Sequence, residues 1–214
     1  SMFTGLIEAI CTVKSARTSG GAMALTVDLG KLAQDSGIGD SIAINGVCLT
    51  ISKTSGSFAD FEVSGETLAK STIGLLKSGS KVNAESALKP TDRFGGHFVQ
   101  GHIDGTAKIK QVQRRGEFAD IEFAAGSDLL SQMVAKGSVA VDGVSLTIAV
   151  MGQNGFSVAV IPQTLHSTTL ETAKAGDAVN VETDIIVKAV KRQLDNILPQ
   201  SGGLSVERLK ELGF

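Results

Sequence analysis

Residues 39–51 read GDSIAINGVCLTI, and 97 residues further on residues 136–148 read KGSVAVDGVSLTI. The spacing holds elsewhere: Glu66-Thr67-Leu68 returns as Gln163-Thr164-Leu165, Lys77-Ser78-Gly79 as Lys174-Ala175-Gly176, and Val82-Asn83-Ala84-Glu85 as Val179-Asn180-Val181-Glu182. Gly5-Leu6-Ile7-Glu8 returns as Gly101-His102-Ile103-Asp104, one residue off that spacing. Solenoid units run to roughly 20–50 residues, so a period this long is a duplicated domain. Two similar domains can present two similar pockets, which suits a protein that holds two molecules of one compound. The residues at which the copies differ then carry the information.

The 214 residues suffice for two domains of roughly 100 residues, each with its own core. Net charge is −2 and no basic block appears, so the footprint of a nucleic-acid binder is missing. No apolar run approaches the roughly 18 residues of a membrane span, and the N-terminus lacks the order of a secretory signal. Ser1 before Met2 reads as a remnant of cloning. Cys11 and Cys48 are too few for a disulfide scaffold and have no metal-type spacing. The expectation is a soluble, cytoplasmic, reduced protein with no nucleic-acid or membrane partner.

Short Val/Ile/Thr-rich runs bounded by Gly, Ser, Asp or Asn point to strands. In the first half they cover 23–28, 41–44, 49–53, 58–63 and 81–85; in the second, 106–112, 119–123, 138–141, 146–150, 156–161 and 178–183. About six short strands per half predict an all-β chain of two small closed barrels or sandwiches, rather than βαβ units. A helical turn is expected over 127–136, with Ser127 as its cap. From residue 186 the period changes. Apolar residues at 186, 187, 190, 194, 197 and 198 form a helical stripe, with Asp184 placed to cap it and Pro199 beyond its end. Such a stripe after two complete domains packs on its own barrel or on another copy. Ser201-Gly202-Gly203 reads as a hinge, and 204–214 as a further short helix.

At their most alike stretch the copies diverge in one telling place. Asn45-Gly46 and Asp142-Gly143 are turn signals that deliver Cys48 and Ser145 to the same site on two strands. A thiol and a hydroxyl are both nucleophiles or proton relays, although small residues on a strand also serve packing alone. Only three histidines occur, and His97 and His102 fall in the glycine-flanked run Gly95–Gly101 and its successor, where backbone can approach a ligand and imidazole can exchange protons. No cysteine or carboxylate cluster completes a metal set there, and His166 belongs to a surface turn. At Ile161-Pro162-Gln163-Thr164 and its counterpart Ser64-Gly65-Glu66-Thr67, strand-end groups stay free for the edge of a flat heterocycle, since Pro162 stops ladder pairing. With no Trp or Tyr, an aromatic ligand would lie on aliphatic side chains and peptide planes.

These motifs resemble the α-type riboflavin synthase family. The start MFTGLIE, the NGVCLT of 45–50, the GGHFVQGHIDG of 95–105 and the DGVSLT of 142–147 are similar to that family's patterns, and the resemblance runs from Met2 to about residue 198. It implies two tandem six-stranded Greek-key barrels related by duplication, over 1–97 and 98–185, with an oligomerisation helix and tail over 186–214. It implies a homotrimer held largely by those helices. The reaction implied is a dismutation of two 6,7-dimethyl-8-ribityllumazine molecules to riboflavin and 5-amino-6-(ribitylamino)uracil, the final step of riboflavin biosynthesis, with no cofactor and no metal.

The resemblance also implies a site. Gly5, Leu6, Ile7, Cys48, Leu49, Thr50 and the run Glu62, Val63, Ser64, Gly65, Glu66, Thr67 would line the first pocket. Gly101, His102, Ile103, Ser145, Leu146, Thr147 and the run Ala159, Val160, Ile161, Pro162, Gln163, Thr164 would line the second. Lys136 would reach in from a neighbouring chain and Phe3 would close over the site. Cys48, His102, Ser145 and Asp184 would be the catalytic set, with Ser145 and Asp184 as a polar pair and His102 beside them. Ile10-Cys11 departs from the family, which commonly has Gly after the apolar residue. Two rival functions are weighed. A non-catalytic lumazine or flavin antenna needs only one working pocket, whereas both copies here keep their motifs. A flavin oxidoreductase barrel carries an Arg-x-Tyr-Ser motif, and this chain has no tyrosine.

Overall fold

The computed structural model describes residues 1–197 and Lys210. The hinge expected at Ser201-Gly202-Gly203 and, Lys210 apart, the helix expected over 204–214 lie outside the described residues. Twelve strands close into two antiparallel barrels. The first comprises β1 (Ala9–Ser19), β2 (Ala22–Asp28), β3 (Ser41–Ile44), β4 (Val47–Ser55), β5 (Phe58–Val63) and β6 (Lys81–Ser86), joined in the Greek-key order β1-β2-β5-β4-β3-β6. The second repeats that order with β7 (Gly105–Arg115), β8 (Phe118–Ala124), β9 (Ser138–Val141), β10 (Val144–Gly152), β11 (Gly155–Val160) and β12 (Ala178–Thr183).

Alternation along the strands explains which face of each barrel is apolar. In β4, Val47, Leu49 and Ile51 are buried while Cys48 and Thr50 point outward, and β10 does the same with Val144, Leu146 and Ile148 against Ser145 and Thr147. Each barrel thereby fills its own core, around Leu25, Ile51 and Phe61 in the first and Ile121, Phe123 and Phe156 in the second. Among the described residues, three short α-helices punctuate the strands, α1 (Gly65–Lys70), α2 (Ser127–Leu130) and α3 (Pro162–Ser167), and a longer one, α4 (Ile185–Ile197), follows the last strand. Two expectations are corrected here. The cap position of α2 is Gly126 rather than Ser127. The runs 62–67 and 159–164 are not strands throughout, because β5 and β11 stop at Val63 and Val160. Ser64 then accepts the Thr67 N–H to cap α1, and Pro162, which lacks an N–H, begins α3.

The barrels meet across a pseudo-twofold axis. The Asn45-Gly46 and Asp142-Gly143 hairpin turns adopt positive φ at all four residues, as a type I′ turn requires. They abut so closely that a Cβ on Gly46 would lie 2.6 Å from the Gly143 nitrogen. Asn83 and Asn180, both fully buried, stitch the junction symmetrically. The Asn83 Nδ2 donates to the Asp142 carbonyl and the Asn180 Nδ2 to the Asn45 carbonyl, each at 2.9 Å. Their amide oxygens accept from the Thr169 and Thr72 N–H groups, so every polar atom of both side chains that faces the interior is used. Beyond the second barrel, α4 starts where the Asp184 carboxylate accepts the Ile186 N–H, and Lys188 ties its first turn to Asp104 at 2.8 Å. Its stripe Ile186, Val190, Leu194 and Ile197 stands 50–55% exposed.

Candidate functional site

The outward face of β4 carries Cys48 and Thr50, and the adjoining β5 holds Glu62 exposed on its own outward face. Against Cys48 lies the segment that leads into the other barrel: the Cys48 N–H donates to the Gly101 carbonyl at 2.9 Å. Gly101 has φ +78°, and a Cβ there would come within 2.4 Å of the Cys48 Cβ, so only glycine lets the two backbones approach. A cavity of about 270 Å³ opens at this contact, lined by Val47, Cys48, Glu66, Thr67, Lys70, Ser71, Gly101, His102 and Ile103. A volume of this order, half-enclosed and carrying a few convergent polar groups, fits one small heterocycle with its remaining faces open.

The second barrel repeats the geometry with different groups. The Ser145 N–H donates to the Gly5 carbonyl at 2.8 Å, and Gly5 (φ +78°) packs within 2.6 Å of the Ser145 Cβ by the same measure. Leu6 occupies the place that His102 holds in the first pocket, half exposed. The linker supplies an imidazole instead: His97 Nδ1 lies 2.7 Å from the Ser145 hydroxyl. Burial pushes the His97 pKa below its usual value, with the Asp184 charge opposing in part, which favours the neutral ring; in the tautomer with its proton on Nε2, Nδ1 accepts the Ser145 hydroxyl. Its Nε2 is buried with no hydrogen-bond partner among the described residues.

The structure thus joins most of the expected residues but exchanges two groups. Gly5 and Leu6 lie with Ser145, not with Cys48, while Gly101, His102 and Ile103 lie with Cys48, not with Ser145. The entering segment of each repeat crosses to the opposite barrel. Ser145 pairs with His97 in place of the expected Asp184, whose carboxylate caps α4. Phe3 is no lid: it is fully buried between the barrels with Ala43, Val99 and Ala140, and its backbone pairs with Val99. Lys136 is exposed at the turn before β9, and Thr147 and Ala159 are exposed on the outer face of the second barrel. Leu49, Val63, Leu146 and Val160 point into the barrel cores, so they shape the pocket walls only through their backbone. His166 is exposed and bonded to Glu171.

Two buried carboxylates escaped the sequence reading. Glu85, on β6, accepts the Thr4 N–H and hydroxyl, each at 2.6 Å, and the Gly5 N–H at 3.0 Å. Glu182, on β12, accepts the Gln100 and Gly101 N–H groups at 2.7 and 2.9 Å. Burial raises both pKa values, that of Glu182 to about 7, against the lowering effect of these hydrogen bonds. The signal was present in the repeated VNAE and VNVE, where a glutamate interrupts a run that should be apolar. A wider concavity of about 700 Å³ on the outside of β7, β8, β10 and β11 holds neither Cys48, Ser145 nor a histidine, and its size alone does not make it the site.

Comparison with known proteins finds relatives over the whole chain. The family described as the lumazine binding domain matches twice, over residues 4–87 and 100–184. Riboflavin synthase of Bacillus subtilis (strain 168) is 40% identical over 193 residues, covering 90% of each chain. Riboflavin synthases of Actinobacillus pleuropneumoniae and Photobacterium phosphoreum are 38% and 37% identical, and each match covers the whole of this chain. Among solved structures, LumP complexed with 6,7-dimethyl-8-(1'-D-ribityl) lumazine and LumP complexed with riboflavin superpose with TM-scores of 0.78 and 0.80 over 85% of the chain. At 21% identity they show a shared fold.

Proposed function

The chain belongs to the riboflavin synthase family, and from that premise we propose how its two barrels divide the dismutation of two 6,7-dimethyl-8-ribityllumazine molecules. The observation that carries the reading is that one strand position, repeated in two barrels, presents a thiol beside His102 in one pocket and a hydroxyl bonded to His97 in the other. Two substrates of identical constitution need opposite treatment. One gives up a proton from its 7-methyl group and the other accepts attack, so non-identical pockets assign the roles. The neutral His97 draws the Ser145 proton and leaves its oxygen basic toward a substrate proton. Cys48 and His102 serve the partner lumazine. Holding two rings face to face converts a bimolecular reaction into a local one, which supplies much of the rate. Catalysis then rests on Cys48, His97, His102 and Ser145, with Thr50, Glu62, Ser64, Glu66 and Thr67 around one ring and Gly5, Leu6, Ile7, Thr147, Ile161, Gln163 and Thr164 around the other.

Cys48 and Ser145 both lie on outer barrel faces, and the cavity at Cys48 stays open on one side. We propose that the first barrel of one subunit closes on the second barrel of its neighbour, in a homotrimer held by the apolar stripe of α4, with Lys136 reaching the adjoining pocket. Cys11 and Cys48 are both free thiols, as a reduced cytoplasmic setting favours. The test has two parts. The double variant Ile186→Glu/Leu194→Glu, compared with the parent by sedimentation velocity and turnover, should be monomeric and inactive. Co-refolding Cys48→Ala/His102→Gln chains with His97→Gln/Ser145→Ala chains should restore turnover that neither has alone. Absence of restoration in mixed oligomers would place both pockets of a working site on one chain.

A further inference from the structure

We propose that Glu85 and Glu182 are positioning residues, each completing the pocket on the barrel it does not belong to; the proposal builds on the two-pocket reading above. Glu182 stands on β12 of the second barrel, yet the two N–H groups it holds belong to Gln100 and Gly101, and it is Gly101 that covers Cys48 of the first barrel. His102 and Ile103, the next residues, form a wall of that pocket. Glu85 stands on β6 of the first barrel; of its partners Thr4 and Gly5, Gly5 lies against Ser145 of the second, and the Thr4 carbonyl accepts the N–H of His97, which bonds Ser145. The pattern is the same in both copies and crosses the axis both times.

A fold alone does not call for these carboxylates. Both are almost fully buried, at 4% and 2% exposure, on strands that also bury Val82, Asn83 and Ala84 or Val179, Asn180, Val181 and Thr183, and burying a charge is costly unless it is well bonded. What they obtain is a fork of hydrogen bonds to consecutive backbone N–H groups, one on each carboxyl oxygen, which fixes direction as well as distance. The held segments have no strand ladder of their own at these residues. With one fork removed, the Gly5 or the Gly101 segment keeps its contact to β10 or β4 through a single backbone bond. The protein therefore tunes each pocket from the far barrel, and a change in one barrel alters the ligand surface of the other.

Cys48 reports on this directly. It is the accessible thiol, whereas Cys11 is buried in the first core with its pKa pushed up to about 11, and so reacts slowly. The rate of Cys48 alkylation by iodoacetamide is measured on the full chain without substrate, alongside thermal unfolding, for Glu182→Gln, Glu85→Gln and the milder Glu182→Asp. Glu182→Gln should raise the rate about ten-fold by freeing the Gly101 cover, and Glu182→Asp by less. Glu85→Gln should leave it unchanged while lowering kcat through the Ser145 pocket. An unchanged Cys48 rate in both Glu182 variants, or an equal rise in Glu85→Gln, would overturn the proposal and leave the glutamates as general stabilisers. Because the readout needs no turnover, a chain that failed to convert lumazine would still test the positioning role.

Discussion

Gly101→Ala perturbs the crossing at its tightest point. The added methyl would sit 2.4 Å from the Cys48 Cβ and 2.7 Å from its nitrogen, where ordinary contact begins at 3.4 Å. The segment must retreat by about 1 Å, because the obstacle is strand backbone with no rotamer to turn. Three costs add: left-handed strain of roughly 1–2 kcal/mol, overpacking of about 1–3 kcal/mol, and about 1 kcal/mol for the stretched bond from the Cys48 N–H. A total of about 4 kcal/mol in a chain of this size lowers Tm by roughly 8–16 °C. Turnover suffers more, since a displacement of about 1 Å at a reacting centre can cost about a hundred-fold. Gly116→Ala is the matched control: φ there is +63°, but nothing lies within 4 Å. It carries the backbone strain alone, costing roughly 1–2 kcal/mol with turnover intact. The assay is riboflavin formation under saturating lumazine, paired with thermal melts of both variants. A Gly101→Ala enzyme with parental turnover and a melt like that of Gly116→Ala would refute the argument that this contact builds the pocket.

Further outcomes are expected from the remaining parts of the structure. Asp142 and Glu182 both have folded pKa values raised to about 7 by burial, from ordinary carboxylate values. A raised folded pKa gives stability that is full below the unfolded values of 3.8 and 4.5 and lost as pH rises through about 7, so melts should fall between about pH 4 and pH 7. Asp142→Asn, which reproduces the Asn45 of the other copy, should flatten that fall; His97, with its lowered pKa, works in the opposite sense as pH drops below about 6.5. An Asp142→Asn melt curve parallel to the parent's would remove Asp142 from this account. Asn83→Ala strands the buried Asp142 carbonyl and Thr169 N–H, and should cost about 3 kcal/mol by denaturant titration. Single Cys48→Ala, Ser145→Ala, His97→Gln and His102→Gln substitutions should retain ligand binding by fluorescence titration yet turn over more slowly; parental rates in all four would end the role assignments.

The duplication was legible in the sequence, and with it the two barrels, because turn dipeptides and period-two alternation are local signals. Cys48 and Thr50 could be placed outward from the alternation of 47–51 alone. The crossing could not. Gly5 and Gly101 each precede a barrel, and nothing local says that each docks on the other one; the deciding contacts, Gly5 with Ser145 and Gly101 with Cys48, are long-range and backbone-mediated. Phe3 misled for a related reason, since an aromatic ring near a terminus suits a lid as well as an inter-barrel core. Helix α3 hid behind β-type composition until Pro162 was seen as a helix start instead of a strand stop. Glu85 and Glu182 were the missed signal, charged residues in strands otherwise built to be buried.

The central claim is that both pockets work together on two copies of one substrate. Its most direct test is to incubate the purified chain with 6,7-dimethyl-8-ribityllumazine alone and to follow riboflavin absorbance. The account predicts conversion with nothing else added, ending with half of the lumazine as riboflavin and half as 5-amino-6-(ribitylamino)uracil. Tight binding without conversion would contradict it and identify the pockets as a holder of lumazine only.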